Sequence, residues 1–189
     1  TNALKNIYNK YDYNVIHGNN NAIGFKSLEK NTKGFQNTAL GSLSLNNNKK
    51  SHNNTSVGFK SLFYSTEKYN TALGALTGKS LVNGKSNILI GKEADVSTSD
   101  AFNQIVIGTN ANGLDNNSVT LGNIDTEDIY MSQEKNAIVH CGGLNLYDQF
   151  GEFSYCFPNK DGKKNSILKT DGMGNLRWTN DNSTASSFN

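Results

Sequence analysis

Few side chains in this sequence could do chemistry, and their spacing decides what they can do. Histidine occurs three times, as His17, His52 and His140. None has a second histidine or a carboxylate four residues along a helical stretch, so no metal-ligand signature arises. His140 and Cys141 are adjacent, but neighbours on a strand face opposite ways and cannot serve as nucleophile and base. The densest carboxylate group is Asp125, Glu127 and Asp128. Paired carboxylates about 5 to 10 Å apart around a sugar can hydrolyse glycosidic bonds, although a solvated loop where a repeat ends is the plainer reading. No GxGxxG or GxxxxGK[ST] stretch is present to cradle phosphate. Asp171-Gly172-Met173-Gly174-Asn175 lacks the spaced acidic ligands of a calcium loop and reads as a turn. Catalysis therefore has no positive signal, and no cofactor or metal is implied. One metal arrangement stays open: three-fold symmetry would gather a His140 from each of three chains around an axial ion.

The rest of the chain must be read for how it positions side chains. Asparagine (31), serine (18), threonine (14) and glycine (18) make up over two-fifths of 189 residues, against 35% hydrophobic and 18% charged. Those four types are poor helix formers and leave no clean window for a bundle. Disordered chains share the low hydrophobicity, but they lack aromatics and carry large net charge. Here aromatics are 10% and net charge is +2, which points to a folded all-β chain. Lysine is spread along the sequence and Arg177 is the only arginine, so a nucleic-acid partner is not expected. No run of 18 apolar residues is long enough for a membrane span, and the first residues carry no apolar signal segment. A chain starting at Thr1 reads as a mature product or an excised part of something longer. Cys141 and Cys156 allow either a disulfide or two free thiols.

Self-similarity organises the middle of the chain. Five-residue units begin at Asn20, Asn37, Asn54, Asn70, Asn87, Gln104 and Ser118 and end at Gly24, Gly41, Gly58, Gly74, Gly91, Gly108 and Gly122. The glycines follow one another at 17, 17, 16, 17, 17 and 14 residues. That period is too short for a strand, a crossover helix and another strand, so each repeat reads as one coil of a solenoid. Within a unit Thr38 and Leu40 face one way and Ala39 and Gly41 the other, giving an aliphatic and a small face. Small residues three beyond each glycine, such as Ser27, Ser44 and Ser61, and the following Leu28, Leu45 and Leu62 suggest a second strand per coil. Stacked coils would set the first-position asparagines in a hydrogen-bonded ladder. Asparagine tolerates left-handed turns, and glycine permits the turn that closes each coil. From the fifth unit bulky Ile88, Leu89, Ile105 and Val106 occupy both faces, which suggests a wider or differently packed layer. One thin coil buries little, so an obligate oligomer joined through the apolar faces is expected.

The N-T-A-[IL]-G units followed by x-x-S-L resemble the head repeats of trimeric autotransporter adhesins, which also occur in phage and large-virus fibre proteins. The resemblance covers about residues 20 to 123, and it implies a left-handed parallel β-roll of about seven coils in a homotrimer. The segment Ser154 to Gly162, continued by Ile167 to Trp178, resembles the Y-x-[LF]-P-x-x-D-G … V-L-x-T-D-G-x-G-x-L-x-W stretch that closes repeat regions in phage and virus tail fibres. Independently of that likeness, Asp-Gly at 161 and 171 marks tight turns between apolar segments, so a small C-terminal β-meander or prism is expected. The domain reading is a lead-in or cap at 1–17, a repeat head at 18–123, the β-segment at 124–180 and a disordered tail at 181–189.

The resulting functional expectation is a fibre or adhesin head, not an enzyme, that attaches a virion or cell to a host-surface receptor, glycan or protein. It would act outside the cell, on a virion fibre or alternatively on a bacterial surface. Candidate contact residues are Tyr64, Tyr69, Tyr147 and Phe150, on the loops 46–53 and 64–69 and the turn 147–153, where tyrosine or phenylalanine beside asparagine can stack on and hydrogen-bond sugars. The rival readings are a trimeric tailspike-like enzyme that degrades a surface polysaccharide and a passive fibre shaft.

Overall fold

The computed structural model describes residues 18–133, 138–140, 144–147, 153–157, 162–173 and 175–180, with backbone alone at 144–147 and 153–156. The lead-in segment 1–17 and the tail 181–189 lie outside these residues. The chain divides into two compact units, 1–129 and 130–189.

The first unit is a parallel β-solenoid. Its strands are β1 (Asn21–Ile23), β2 (Thr38–Leu40), β3 (Thr55–Val57), β4 (Thr71–Leu73), β5 (Ile88–Ile90), β6 (Gln104–Ile107) and β7 (Ser118–Leu121). They form one seven-stranded sheet in sequence order, so the chain makes about six turns between first and last strand. At about 4.8 Å per strand the stack rises about 30 Å. Every pairing is parallel and in register, Ala22 opposite Ala39, Ala39 opposite Ser56, and so on to Val106 opposite Thr120.

The asparagine ladder forms, and it does more than bond along its own column. Counting Asn20 and its equivalents as position 1, each side-chain oxygen accepts the backbone N–H of the next coil's position 1. These bonds are 2.9 Å from Asn37 to Asn20, 3.0 Å from Asn54 to Asn37, 2.9 Å from Asn70 to Asn54, 3.1 Å from Asn87 to Asn70 and 3.0 Å from Gln104 to Asn87. Several amide nitrogens reach on to a carbonyl in the next coil's loop, Asn37 to Ser51 at 2.9 Å and Asn87 to Ala101 at 2.8 Å. Buried polar groups are thereby satisfied in a column with little aliphatic bulk. These asparagines are not the left-handed residues. That conformation falls on the residue before each, Asn19, Gln36, Asn53, Tyr69, Ser86, Asn103 and Asn117.

The expected second strand is absent. Residues 25–30 and 42–47 are turns, because Lys26 and Leu28, then Leu43 and Leu45, take left-handed φ of 55°, 49°, 61° and 48°. Alternating left- and right-handed residues curl the chain while still presenting N–H and C=O groups along the stack, as in Leu28 N–H to Ser44 O at 3.0 Å and Leu45 N–H to Ser61 O at 3.1 Å. Left-handed leucine is costly by about 1 kcal/mol, and burial of Leu28, Leu45 and Leu62 offsets it.

The bulky fifth and sixth units are packed differently from the first three. Position 3 points into the solenoid, where Ala39, Ser56, Ala72, Leu89 and Val106 are buried. In the first three coils a small residue there is matched by Leu28, Leu45 or Leu62 at position 9. In the fifth and sixth, position 3 is the large Leu89 or Val106 and position 9 is Asp95 or Asn112. The exchange happens at Gly78, where a Cβ would lie 2.8 Å from Leu62 Cδ2 and 3.1 Å from Leu89 Cδ1. The large interior side chain thus comes from position 9 in the first three coils and from position 3 in the fifth and sixth. Length differences between coils fall after position 9, so strand and glycine keep their register throughout, while position 9 is left-handed at Leu28, Leu45, Leu62 and Gly78 and not at Asp95 or Asn112.

The second unit holds β8 (Leu144–Tyr147), β9 (Phe153–Phe157), β10 (Ser166–Thr170) and β11 (Leu176–Asn180). A small meander or prism was expected from the two Asp-Gly turns, and Asp161 of the first lies outside the described residues. Instead β8 pairs only with β9, and β10 only with β11, as two antiparallel hairpins. Asp171 builds the second turn: its Oδ1 accepts the N–H groups of Met173 at 2.8 Å and Asn175 at 3.2 Å, and Asn175 Nδ2 donates to Oδ2 at 2.9 Å. Among the described residues no ladder joins β9 to β10, and Gly162 stands where a Cβ would meet the Trp178 indole at 2.6 Å.

Candidate functional site

Two surfaces of the solenoid carry features that stacking alone does not require. The first is the outer face of the sheet. Positions 2 and 4 of each strand point outward, so Ile23, Leu40, Val57, Leu73, Ile90, Ile107 and Leu121 line up by strand register into one aliphatic column. Ile23 is 67% exposed, Leu40 44% and Leu73 49%. Beside them run Thr38, Thr55 and Thr71, then Ile88, Ile105 and Val119. Scattered exposed aliphatics are ordinary on a protein surface, whereas a row this regular is not.

The second is a groove of about 610 Å³ lined by Asn47, Lys49, Lys50, Tyr64, Thr66, Glu67 and Val82. These residues come from three successive coils, and all lie in the segment after position 9 where coil length varies. The expected contact loops 46–53 and 64–69 are thus brought together by stacking, since residues about 17 apart in sequence become neighbours. The walls are held in place: Asn47 Nδ2 donates to Phe63 O at 3.0 Å and its Oδ1 accepts Lys30 Nζ at 2.6 Å. Thr66 Oγ1 donates to Val82 O at 3.0 Å. The Tyr64 ring, half-exposed, meets the Phe63 ring edge-on at 4.7 Å.

The other sequence candidates stand elsewhere. Tyr69 is not among the groove's lining residues; it takes the left-handed position before Asn70, packs edge-on to His52 at 5.8 Å and carries Lys68 Nζ 5.4 Å over its ring. His52 itself stacks on Phe35 at 4.5 Å and 4°, a packing role. Tyr147 lies on β8 with only its backbone described, and Phe150 and Cys141 lie outside the described residues. His140 is exposed, and among the described residues no three His, Cys, Asp or Glu side chains come together as a metal site. Asp125, Glu127 and Asp128 are exposed, and the only carboxylate lining the groove is Glu67. No helix among the described residues is long and apolar enough to cross a membrane.

Among the described residues two charged groups have displaced titration. The Glu93 carboxyl is held below its usual range first by Lys92 and then by Lys79, at 3.2 Å and 3.4 Å. The Asp171 carboxyl is lowered by the Asn175 side-chain amide, then by the Met173 N–H. Both lie outside the groove, and both brace turns. Searches of known protein families, curated proteins and solved structures return no significant match to the chain.

Proposed function

We propose that this chain is the head of a homotrimeric fibre or adhesin that attaches a virion or cell to a glycan on a host surface. The observation that carries the proposal is the aliphatic column from Ile23 to Leu121, exposed on one flat, in-register face. Association of three copies through that face would remove these side chains from water, each worth about 1.5 to 3 kcal/mol when fully buried. It would also add buried apolar surface to the narrow core that each coil already holds. The groove lies on a different part of each coil, at 47–50 against 38–40, and so stays available for a ligand when the sheet face is covered. Grooves in loop segments on a rigid stack suit recognition.

Light scattering tests the assembly: a mass three times 20.6 kDa is expected, and a stable folded monomer would remove the proposal. Degradation of surface polysaccharide is a weaker reading, because glycoside hydrolysis generally uses two carboxyl groups and the groove offers Glu67.

A further inference from the structure

We infer that the groove beside Tyr64 takes an acidic saccharide, a sugar bearing a carboxylate or a sulfate, bound by Lys49 and Lys50. This rests on the attachment function proposed above and specifies its ligand class. Elsewhere on the solenoid, lysines near acidic side chains are already paired: Lys26 with Glu29 at 3.4 Å, Lys79 and Lys92 with Glu93. Lys49 and Lys50 are exposed, and no ion pair to either is found among the described residues. Two consecutive lysines that both line the groove and make no ion pair among the described residues are complementary to an anion of the ligand.

The remaining lining residues select a sugar among anions. Tyr64 presents a half-exposed ring braced by Phe63, a platform for the apolar face of a pyranose. Val82 supplies apolar contact, and Glu67 can accept hydrogen bonds from ring hydroxyls. Because Asn47 and Thr66 are already engaged by Phe63, Lys30 and Val82, the groups left for a ligand are the two ammoniums, the Glu67 carboxylate and the tyrosine. The same Glu67 opposes a dense phosphate polymer, and the one arginine of the chain, Arg177, lies in the other unit. The groove's size suits one or two sugar rings.

The test is calorimetric titration of the full assembled chain with a uronate-containing oligosaccharide, a sulfated oligosaccharide, a neutral oligosaccharide of matching size and a single-stranded oligonucleotide. Preferential binding of one or both acidic sugars is expected, weakening as salt rises. The double variant Lys49→Gln, Lys50→Gln should lower that affinity about tenfold or more, and Tyr64→Ala should weaken it separately. Circular dichroism and the unfolding midpoint should stay unchanged, since these side chains are exposed. Uronate and sulfate arms that differ identify the anion. Equal binding of the neutral sugar, untouched by the lysine changes, would overturn the acidic ligand while leaving glycan attachment standing. Failure of every sugar to bind overturns both, and tighter binding of the oligonucleotide overturns the choice of a saccharide.

Discussion

The side-chain oxygen of Asn37 accepts two hydrogen bonds from Asn54, one from its backbone N–H at 3.0 Å and one from its side-chain amide at 3.2 Å. One residue thus supplies the acceptor for the next coil's entry into its strand. Asn54 does the same for Asn70 at 2.9 Å, and it is fully buried. Replacing Asn54 by alanine leaves the Asn70 N–H and the Ser51 hydroxyl without this partner. A loss of about 1 to 3 kcal/mol per orphaned group is expected, read as a lowered denaturant midpoint at unchanged slope.

Glycine at position 5 is required by the neighbouring coil as well as by its own φ. A Cβ on Gly58, at φ 137°, would stand 2.2 Å from Gly74 O and 2.5 Å from its carbonyl carbon. Gly58→Ala should therefore abolish cooperative folding. Gly172→Ala meets nothing within 4 Å although its φ is 79°, and should cost only about 1 kcal/mol. Thermal unfolding of the two variants separates steric clash from backbone preference; similar midpoints would count against the stacking explanation.

The aliphatic face gives a prediction about association. Leu40→Glu combined with Leu73→Glu places charges on the proposed contact without touching the interior, because Ala39 and Ala72 rather than these leucines point inward. The scattering mass should fall toward 20.6 kDa, whereas Thr66→Glu on the loop should leave it alone. An unchanged mass for the leucine variant means that the chains meet elsewhere.

Interior volume should be exchangeable between positions 3 and 9. Leu89→Ala alone should cost about 2 to 5 kcal/mol, and Gly78→Leu alone should overpack against Leu62 and Leu89. Together they restore the arrangement of the first three coils. A double-mutant cycle should show favourable coupling of about 1 kcal/mol or more; additive losses would mean that the two sites do not share space.

The β10–β11 hairpin should weaken in acid. The Asp171 carboxyl titrates below its usual value because Asn175 and Met173 donate to its charged form. A depressed folded-state value contributes stability that is present above the ordinary carboxylate range and disappears as pH falls through the folded value. Nuclear magnetic resonance titration should place the Asp171 transition below that of exposed aspartates, with loss of amide protection at Leu176 following it. Asp171→Asn should remove the pH dependence.

Much of the solenoid was legible because its constraints fall on residue identity. A buried amide at position 1 and a Cβ-free position 5 leave a mark in every coil, at Asn37 and Gly41 as at Asn87 and Gly91. The turn over residues 25–30 was not, because the left-handed residues there are lysine and leucine, types that carry no turn signature. A second asparagine column also passed unnoticed: Asn31 and Asn48 accept the N–H groups of Gly34 and Ser51 at 3.1 Å and 2.9 Å, a signal present in the spacing of three residues. The outward aliphatics were read correctly from strand alternation, while the inward role of Leu89 was hidden by the matching loss of Leu at position 9. The loops flanking the groove could be named from tyrosines and asparagines, but its lining is assembled from three coils. Lys49 and Lys50 gain their meaning only from where Tyr64 and Glu67 are stacked.

Coil length varies only beyond position 9. The strand-to-glycine half is therefore a fixed gauge, and the remainder behaves like a hairpin loop whose ends are clamped at a constant separation. Closing such a loop costs only slowly more as residues are added, about 0.6 kcal/mol for each doubling. Insertions after Leu45 or Leu62 would then enlarge the groove wall without disturbing the stack beneath. The molecule can diversify what it displays while keeping what it stands on.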